Sequence, residues 1–473
     1  MARYKNKKLI AALLIIIVVI VAALAVFTVL FPDVVHKHTG LLPHSWGDYT
    51  TVTEADCEND GEKTRRCTVC GKEESAVIPA AGHNWGEWSS VTLPDCGKSG
   101  LDSRTCSVCG DDDLKVVPAT GNHDFGDGEI CRICGIDKSA LDPQTVITNS
   151  ELSIHFLELG NKYTGDCTLI KCGDTEVLID AGSRQNSAVV IKDYVDKYCT
   201  DGVLEYVIAT HAHQDHIAGF VGSKSGTTKT GILYQYRVGT LIQFAGTNAT
   251  SAIYKSYCEA VEYAKSQGTE VYTAKQCYYQ TDGAKNEYFL DEGKTVSLNI
   301  LYQRFYEEKT NDENDYSVCT LLTQKTGSET FNYLFTGDLE KDGESSLVDR
   351  NDLPEVELFK GGHHGSYTAS TDKLLSVIKP QNVAVCCCCG TTEYTSNPDN
   401  TFPAQAFIDR VSKYTENIYC TSLMLDYKNN KYAPMNGNIV FYSKGGALNL
   451  YCSNNDTVLK DTEWFAENRK WNN

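Results

Sequence analysis

The sequence predicts an α/β domain over residues 149–453, carried behind an apolar N-terminal helix and a string of small cysteine-rich units. Three observations predict it. Strand-like and helix-like segments alternate through 149–453, a tight cluster of histidines and an aspartate directly follows one of those strands, and the cysteines ahead of it recur at a fixed interval. The 473 residues exceed one ordinary domain. A composition of 22% charged and 41% hydrophobic residues excludes a collagen, a wholly disordered chain and a multi-span membrane protein. The net charge of −19 argues against a protein that holds DNA by a broad basic surface.

Residues 1–35 read as a cytoplasmic tail and a transmembrane anchor. Arg3, Lys5, Lys7 and Lys8 precede an apolar run from Leu9 to Phe31, long enough to cross a bilayer as a helix. Basic residues before the run and Asp33 after it place the N-terminus in the cytoplasm and the remainder outside. The rival reading is a cleaved signal peptide, because Ala23-Leu24-Ala25 has the small-residue form of a cleavage site; the run, however, continues through Phe31. In both readings the rest of the chain is exported.

Residues 36–138 contain an internal repeat. Trp46 and Trp85 correspond, as do Cys57 and Cys96, Cys67 and Cys106, and Cys70 and Cys109, all 39 positions apart, and a shortened third copy carries Cys131 and Cys134. Each full copy offers Cys-x9-Cys-x2-Cys followed by a histidine. A Cys-x2-Cys knuckle presents two thiolates on one turn, and a third cysteine with a histidine completes a tetrahedral zinc site. The expected sets are Cys57, Cys67, Cys70 and His83, then Cys96, Cys106, Cys109 and His123, with the choice between leading and trailing histidine left open. The competing reading is one disulfide and a free thiol per copy, as an exported protein permits. These copies resemble the tryptophan- and cysteine-bearing spacer repeats of surface proteins in anaerobic gram-positive bacteria, which implies a stalk or adhesive spacer.

Residues 149–453 carry the chemistry, and 454–473 read as a C-terminal tail. The segments at 152–159 and 167–180 look like strands, the latter turning at Gly173-Asp174, and 186–199 has helical periodicity. The segment 203–210 is a short apolar strand, and 254–267 is helical again. Turns at Asn429-Asn430, Asn436-Gly437 and Gly445-Gly446 predict β-hairpins near the end. The run Cys386–Cys389 reads as part of a buried strand, and His155 as a structural histidine.

Directly after the strand at 203–210 stand His211, His213, Asp215 and His216, an H-x-H-x-D-H cluster. In an extended loop His211 and His213 project to one side and can share one metal; Asp215 and His216, past the turn, can reach a second. Two divalent ions about 4 Å apart call for a bridging carboxylate, offered by Asp338 at the end of another strand. A further histidine comes from either His363 or His364. Five of the chain's 11 histidines fall in these two short motifs, so chance clustering is a poor explanation.

Taken in order, LSIHFLELG, LIDAG, THAHQDHIAG, FTGDLE and KGGHHGS resemble the metallo-β-lactamase fold, a four-layer αββα sandwich. The KGGHHGS form is similar to the branch containing the hydrolase domain of the ComEC competence proteins and the pneumococcal phosphorylcholine esterase. The resemblance spans Leu152–Ser443. It implies two divalent ions, zinc or manganese, one bound by His211 and His213 and the other by Asp215 and His216. It also implies that Asp338 bridges them, that one of His363 and His364 completes the second site while the other faces substrate, and that Asp180 orients a ligand histidine. Two departures stand out. Where many members supply another histidine to the first metal, this chain has Asn314 and Ser317, and where relatives show Tyr-Gly-His-Pro it has Tyr394 through Asn397-Pro398.

This pattern points to a membrane-anchored, extracellular hydrolase of phosphodiesters, acting on nucleic acid or a phosphorylated wall polymer by a metal-activated hydroxide, with Asp215, His363 and His364 at the reacting centre. Residues 1–150 hold −6 of the −19 charge, leaving −13 on the rest, so stable binding of bulk DNA is disfavoured and a small or wall-borne phosphodiester is preferred. The alternatives are a surface adhesin or scaffold with an inactive hydrolase fold, and a lactonase or β-lactamase. Eight of the 20 cysteines lie in the repeats, and the other 12 suggest a reducing habitat.

Overall fold

The computed structural model describes residues 2–31, 34–35, 43–94, 96, 100–117, 124, 126, 128, 130–135, 143–225, 228–327, 329–444 and 447–472. The chain divides into two compact units, Met1–Ser139 and Ala140–Asn473.

In the first unit a helix spans Ala2–Leu30, and its stretch Ala12–Leu30 is long and apolar enough to cross a membrane. Two three-stranded antiparallel sheets follow. One is built from Thr50–Thr53, Gly61–Arg66 and Glu73–Ile78; the other from Ser89–Thr92, Gly100–Thr105 and Asp112–Val117. Their registers correspond: Thr50 faces Thr64 as Ser89 faces Ser103, and Arg65 faces Glu74 as Arg104 faces Asp113. Short strands of this kind bury little. Among the described residues from 43 to 135, the buried apolar side chains are all cysteines: Cys57, Cys67, Cys96, Cys106 and Cys131.

The second unit is built on two eight-stranded sheets flanked by helices, an α/β/β/α sandwich. The first sheet runs in the order Glu270–Thr273, Arg237–Gln243, Val203–Ala209, Thr175–Ile179, Thr168–Cys172, Leu152–Phe156, Ile439–Lys444 and Ala447–Cys452. The second runs Glu287–Phe289, Val296–Ile300, Thr320–Thr326, Glu329–Phe335, Leu358–Lys360, Asn382–Cys389, Ile418–Asp426 and Lys431–Pro434. Phe156, Val207 and Leu241 of the first sheet pack with Leu298, Tyr333 and Leu358 of the second in one buried cluster, which also takes in Ile191 and Tyr257 from helices Ser187–Val195 and Ala252–Ser266. A second cluster joins Phe359, Val383 and Val385 to Leu347, Leu375 and Phe407 of helices Lys341–Arg350, Asp372–Ile378 and Gln405–Val411. Cys386 to Cys389 are all buried, with Cys386 in the first cluster and Cys387 and Cys389 in the second, as period-two alternation requires.

Two expectations are corrected. Asn436-Gly437 is not a hairpin turn, because Lys431–Pro434 and Ile439–Lys444 belong to different sheets. The Asn436 side chain holds this crossing, accepting from the Cys420 backbone N–H and donating to the carbonyls of Asn455 and Thr457. Residues 454–473 are no tail: Leu459, Trp464 and Phe465 are buried in the second cluster, and the Arg469 guanidinium donates to Pro403 and Thr401 carbonyls. A short amphipathic helix, Glu463–Asn468, is too brief to reveal itself by periodicity.

Candidate metal centre

The site forms where strands of both sheets end. Val203–Ala209 pairs in parallel with Thr175–Ile179 on one side and Arg237–Gln243 on the other, so loops leaving its C-terminal end open into a crevice. From that end the chain extends through His211 to His213, whose φ −68° and ψ 149° make it the cap of helix Gln214–Val221. Asp215 and His216 therefore lie in the first helical turn. Gly182, in the loop after Thr175–Ile179, packs so closely that a Cβ there would come 2.4 Å from the Asp215 carbonyl. From the second sheet, Asp338 follows strand Glu329–Phe335, and His363 and His364 follow Leu358–Lys360. Asp180, His363 and His364 hold φ of +58°, +45° and +55°, a concentration of left-handed non-glycine residues that folds accept at functional sites.

The structure brings His211, His213, Asp215, His216, Asp338 and His364 together. Nε2 of His211 and Nδ1 of His213 are 2.9 Å apart. The ligand atoms of His211, His216 and Asp338 lie within 4.8 Å of one another. Around Oδ2 of Asp338 stand His216 Nε2 at 3.0 Å and His364 Nε2 at 3.1 Å, and His364 Nε2 is 3.4 Å from Asp215 Oδ2. His363 is turned away from this group: Nδ1 is 3.1 Å from Glu340, and Nε2 is 3.9 Å from Asp338. His364 thus converges with the other donors, and His363 lines a cavity of about 700 Å³ shared with His213, Asp215, Tyr394 and Phe402.

Hydrogen bonds select the tautomers a cation needs. His216 Nδ1 is 2.7 Å from Asp180, and His364 Nδ1 is 2.9 Å from the Cys386 carbonyl, so both of these nitrogens are committed as donors and Nε2 of each ring is the atom left for a cation. His364 Nε2 is buried and faces the carboxylates of Asp338 and Asp215. Asp180 also accepts from the Thr210 backbone N–H at 2.8 Å and hydroxyl at 2.7 Å. These residues fit a cation site: four carboxylates, Asp166, Asp180, Asp215 and Asp338, are buried here around one fixed cation, Lys360.

The electrostatics follow from that crowding. Burial opposes charge on His216 and His364, yet the Asp338 carboxylate, helped by Asp180 and Asp166 respectively, holds both far above the usual histidine range. Burial also opposes ionisation of Asp338, but His216, His364 and Lys360 hold its carboxyl well below the usual range. Asp215 is likewise lowered, against burial, by the hydrogen bond from His364 and the charge of His216. His211 is pushed well down by burial and by neighbouring His216. The four acids thus attract positive charge strongly enough to protonate imidazoles where divalent ions would sit.

Several participants escape motif reading. Asp166 lies 3.1 Å from His364 Nδ1 and pairs with the Lys360 ammonium, which also donates to the Gly337 carbonyl at 3.1 Å. A signal existed for both: Asp166 closes a second Thr-Gly-Asp tripeptide, matching Thr336-Gly337-Asp338, and Lys360 opens the KGGHHGS motif. Tyr394 donates to Asp215 at 2.6 Å, whereas Asn397, standing in place of the histidine of Tyr-Gly-His-Pro, is exposed and caps a short turn. Ser317, in the stretch without the further histidine, accepts from the Asp338 N–H at 3.0 Å and lies 3.4 Å from His211 Nδ1.

Residues 160–269 match the family model described as the metallo-beta-lactamase superfamily, a stretch containing Asp166, Asp180 and the whole histidine loop. This match, with the α/β/β/α sandwich around it, supports a metallo-β-lactamase superfamily fold for the second unit. Among solved structures, similarity is found to subclass B3 enzyme BJP-1 of Bradyrhizobium japonicum, with 14% identity over 44% of this chain and 76% of that one and a TM-score of 0.26. A Cronobacter sakazakii metallo-β-lactamase gives 14% identity over 42% and 72%, TM-score 0.25. SMB-1 with bound 2-mercaptoethanesulfonate gives 11% over 44% and 75%, TM-score 0.27. No curated protein gives a match to the sequence.

In the first unit the grouping differs from the expected sets. Cys57 joins His83, Cys106 and Cys109; Cys67 and Cys70 join His44; and Cys96 joins Cys131 and Cys134. His123 lies outside the described residues. Only the group on Cys57 has the expected three cysteines and one histidine among the described residues, and it draws them from two copies, because spacing within one copy cannot reveal which neighbour a lone cysteine faces.

Proposed function

We propose that the second unit is a two-metal hydrolase, with His211 and His213 holding one divalent cation, Asp215, His216 and His364 the other, and Asp338 shared between them. Such a pair supplies a water ionised near neutral pH and offsets charge developing on the attacked group. The observation that carries this reading is the convergence of His216 Nε2 and His364 Nε2 on Asp338, with both Nδ1 protons committed elsewhere.

The residues of the chain do the rest. Asp180 and the Cys386 carbonyl orient the two imidazoles. Glu340 holds the His363 ring at the cavity, where it can bind a substrate oxygen or protonate a leaving group. Tyr394 fixes Asp215 from the cavity side.

For substrate we favour a phosphodiester, small or borne on a wall polymer. The support is the similarity of the KGGHHGS motif to the phosphodiesterase-containing branch and the His363–Glu340 pair suited to an oxyanion. A second reading, opening of a lactam or lactone ring by the same water, is supported by the description of the matching family model. The apolar helix supports attachment to a membrane with the second unit outside, and a cleaved leader would instead release it. Turnover of bis-p-nitrophenyl phosphate, a chromogenic lactam and a lactone, with and without chelator, tests these readings. Chelator-sensitive phosphodiester turnover supports the first, lactam or lactone turnover the second. Absence of all three in metal-loaded protein would leave a scaffold with an inactive hydrolase fold.

A further inference from the structure

Among the described residues from 43 to 135, the buried apolar side chains are cysteines, so sulfur takes the place of a core. Cys57 follows the first strand of one sheet, yet its Sγ lies 3.8 Å from Sγ of Cys106, in the knuckle after the second strand of the next sheet. In the same group Cys109 Sγ is 3.3 Å from His83 Nδ1. The construction recurs one copy on, where Cys96 Sγ lies 3.6 Å from Cys131 Sγ, with Cys134 within the same cluster.

These separations are too long for a disulfide, whose sulfurs stand about 2.05 Å apart. They suit the edges of a zinc tetrahedron: bonds of about 2.3 Å to sulfur place two thiolates about 3.8 Å apart. The local backbone is shaped for thiolates. Each knuckle ends in a glycine at positive φ, Gly71, Gly110 and Gly135, which turns the chain so that both cysteines reach one cluster. The Val108 backbone N–H points to Cys106 Sγ at 3.4 Å. His83 is held by stacking on Trp85, ring centroids 4.5 Å apart, and Arg104 lies over the opposite partner of that stack at 5.2 Å from the Trp85 ring.

We infer that Cys57, His83, Cys106 and Cys109 form one zinc site shared between consecutive copies, the lone cysteine of each copy closing the knuckle of the next. The ion then belongs to the junction and not to either copy. Removing it frees one copy from the next, so the array is stiff when zinc is bound and loosely strung when it is not. Short units that cannot bury a core alone are commonly held by such a staple.

The two partitions differ in which knuckle protects Cys57, and thiol alkylation read by mass spectrometry separates them. The full-length protein, loaded with zinc alone, is compared with a Cys67→Ser/Cys70→Ser variant and a Cys106→Ser/Cys109→Ser variant. Cys57 is expected to resist alkylation in the wild type and in the first variant, and to lose that protection in the second and in wild type treated with chelator. The opposite pattern between the variants would place the ion within a single copy. Protection that survives chelator, or recovery of Cys57 in a disulfide, would equally overturn the proposal. The readout is independent of hydrolysis, so failure of the hydrolase reading would leave it intact.

Discussion

Asp180 should control the metal affinity of a site it does not itself ligate. Its carboxylate accepts three hydrogen bonds at 2.7–2.8 Å, from the Thr210 N–H, the Thr210 hydroxyl and His216 Nδ1. Asp180→Asn preserves the shape but replaces one acceptor oxygen by an N–H donor. Either Thr210 or His216 must then face a donor. If His216 yields, its proton moves to Nε2 and the lone pair facing Asp338 is lost. A hydrogen bond of a charged group is worth about 1.5–3 kcal/mol. Loss of such an orienting partner lowers metal affinity about 10–100-fold, which corresponds to about 1.4–2.8 kcal/mol. Cobalt(II) titration of wild type and Asp180→Asn measures this directly, because only the cysteine clusters give thiolate charge-transfer bands and the nitrogen- and oxygen-bound ions can be followed apart. Thermal melting controls for folding. Affinities within about twofold of each other, against the 10–100-fold expected, with melting unchanged, would refute the argument.

Other outcomes follow from single residues. His363→Ala should lower turnover about 100-fold with bound metal unchanged, whereas His364→Ala should lose metal as well; the pair is checked by metal analysis beside turnover. His155 is buried between Ser153 and Tyr194, and burial lowers it to about 3. The unfolded chain therefore binds the extra proton first, and stability present above about pH 6.5 is lost as pH falls. Between pH 7 and 5 the wild type should lose about 2 kcal/mol more than His155→Gln in urea unfolding. Equal losses would contradict the assignment. Phe465→Ala should cost about 3–5 kcal/mol, measured the same way, because the residue is buried in the outer core.

Legibility in the sequence tracked the range of the interaction. The H-x-H-x-D-H loop was legible because its donors are neighbours on one strand end, and Asp338 because it closes a strand in a recognisable tripeptide. The choice between His363 and His364 was not, since adjacent residues differ only through backbone angles, here two successive left-handed turns. The contacts of Asp166 with His364 and of Tyr394 with Asp215 join residues far apart in the chain, and only the meeting of the two sheets creates them. The cysteine repeats show the same limit from another side. Every copy offers the same donors, so periodicity predicts a cluster but not whether it closes within a copy or across a junction.

The central claim is that Asp338 is shared by two cations that activate water. Metal content and bis-p-nitrophenyl phosphate, lactam and lactone turnover of full-length wild type and Asp338→Ala, purified in parallel, test it most directly. The variant is expected to fold, to lose about two divalent ions per chain relative to wild type, and to lose hydrolysis with them. An unchanged metal count, or full turnover without the Asp338 carboxylate, would contradict it.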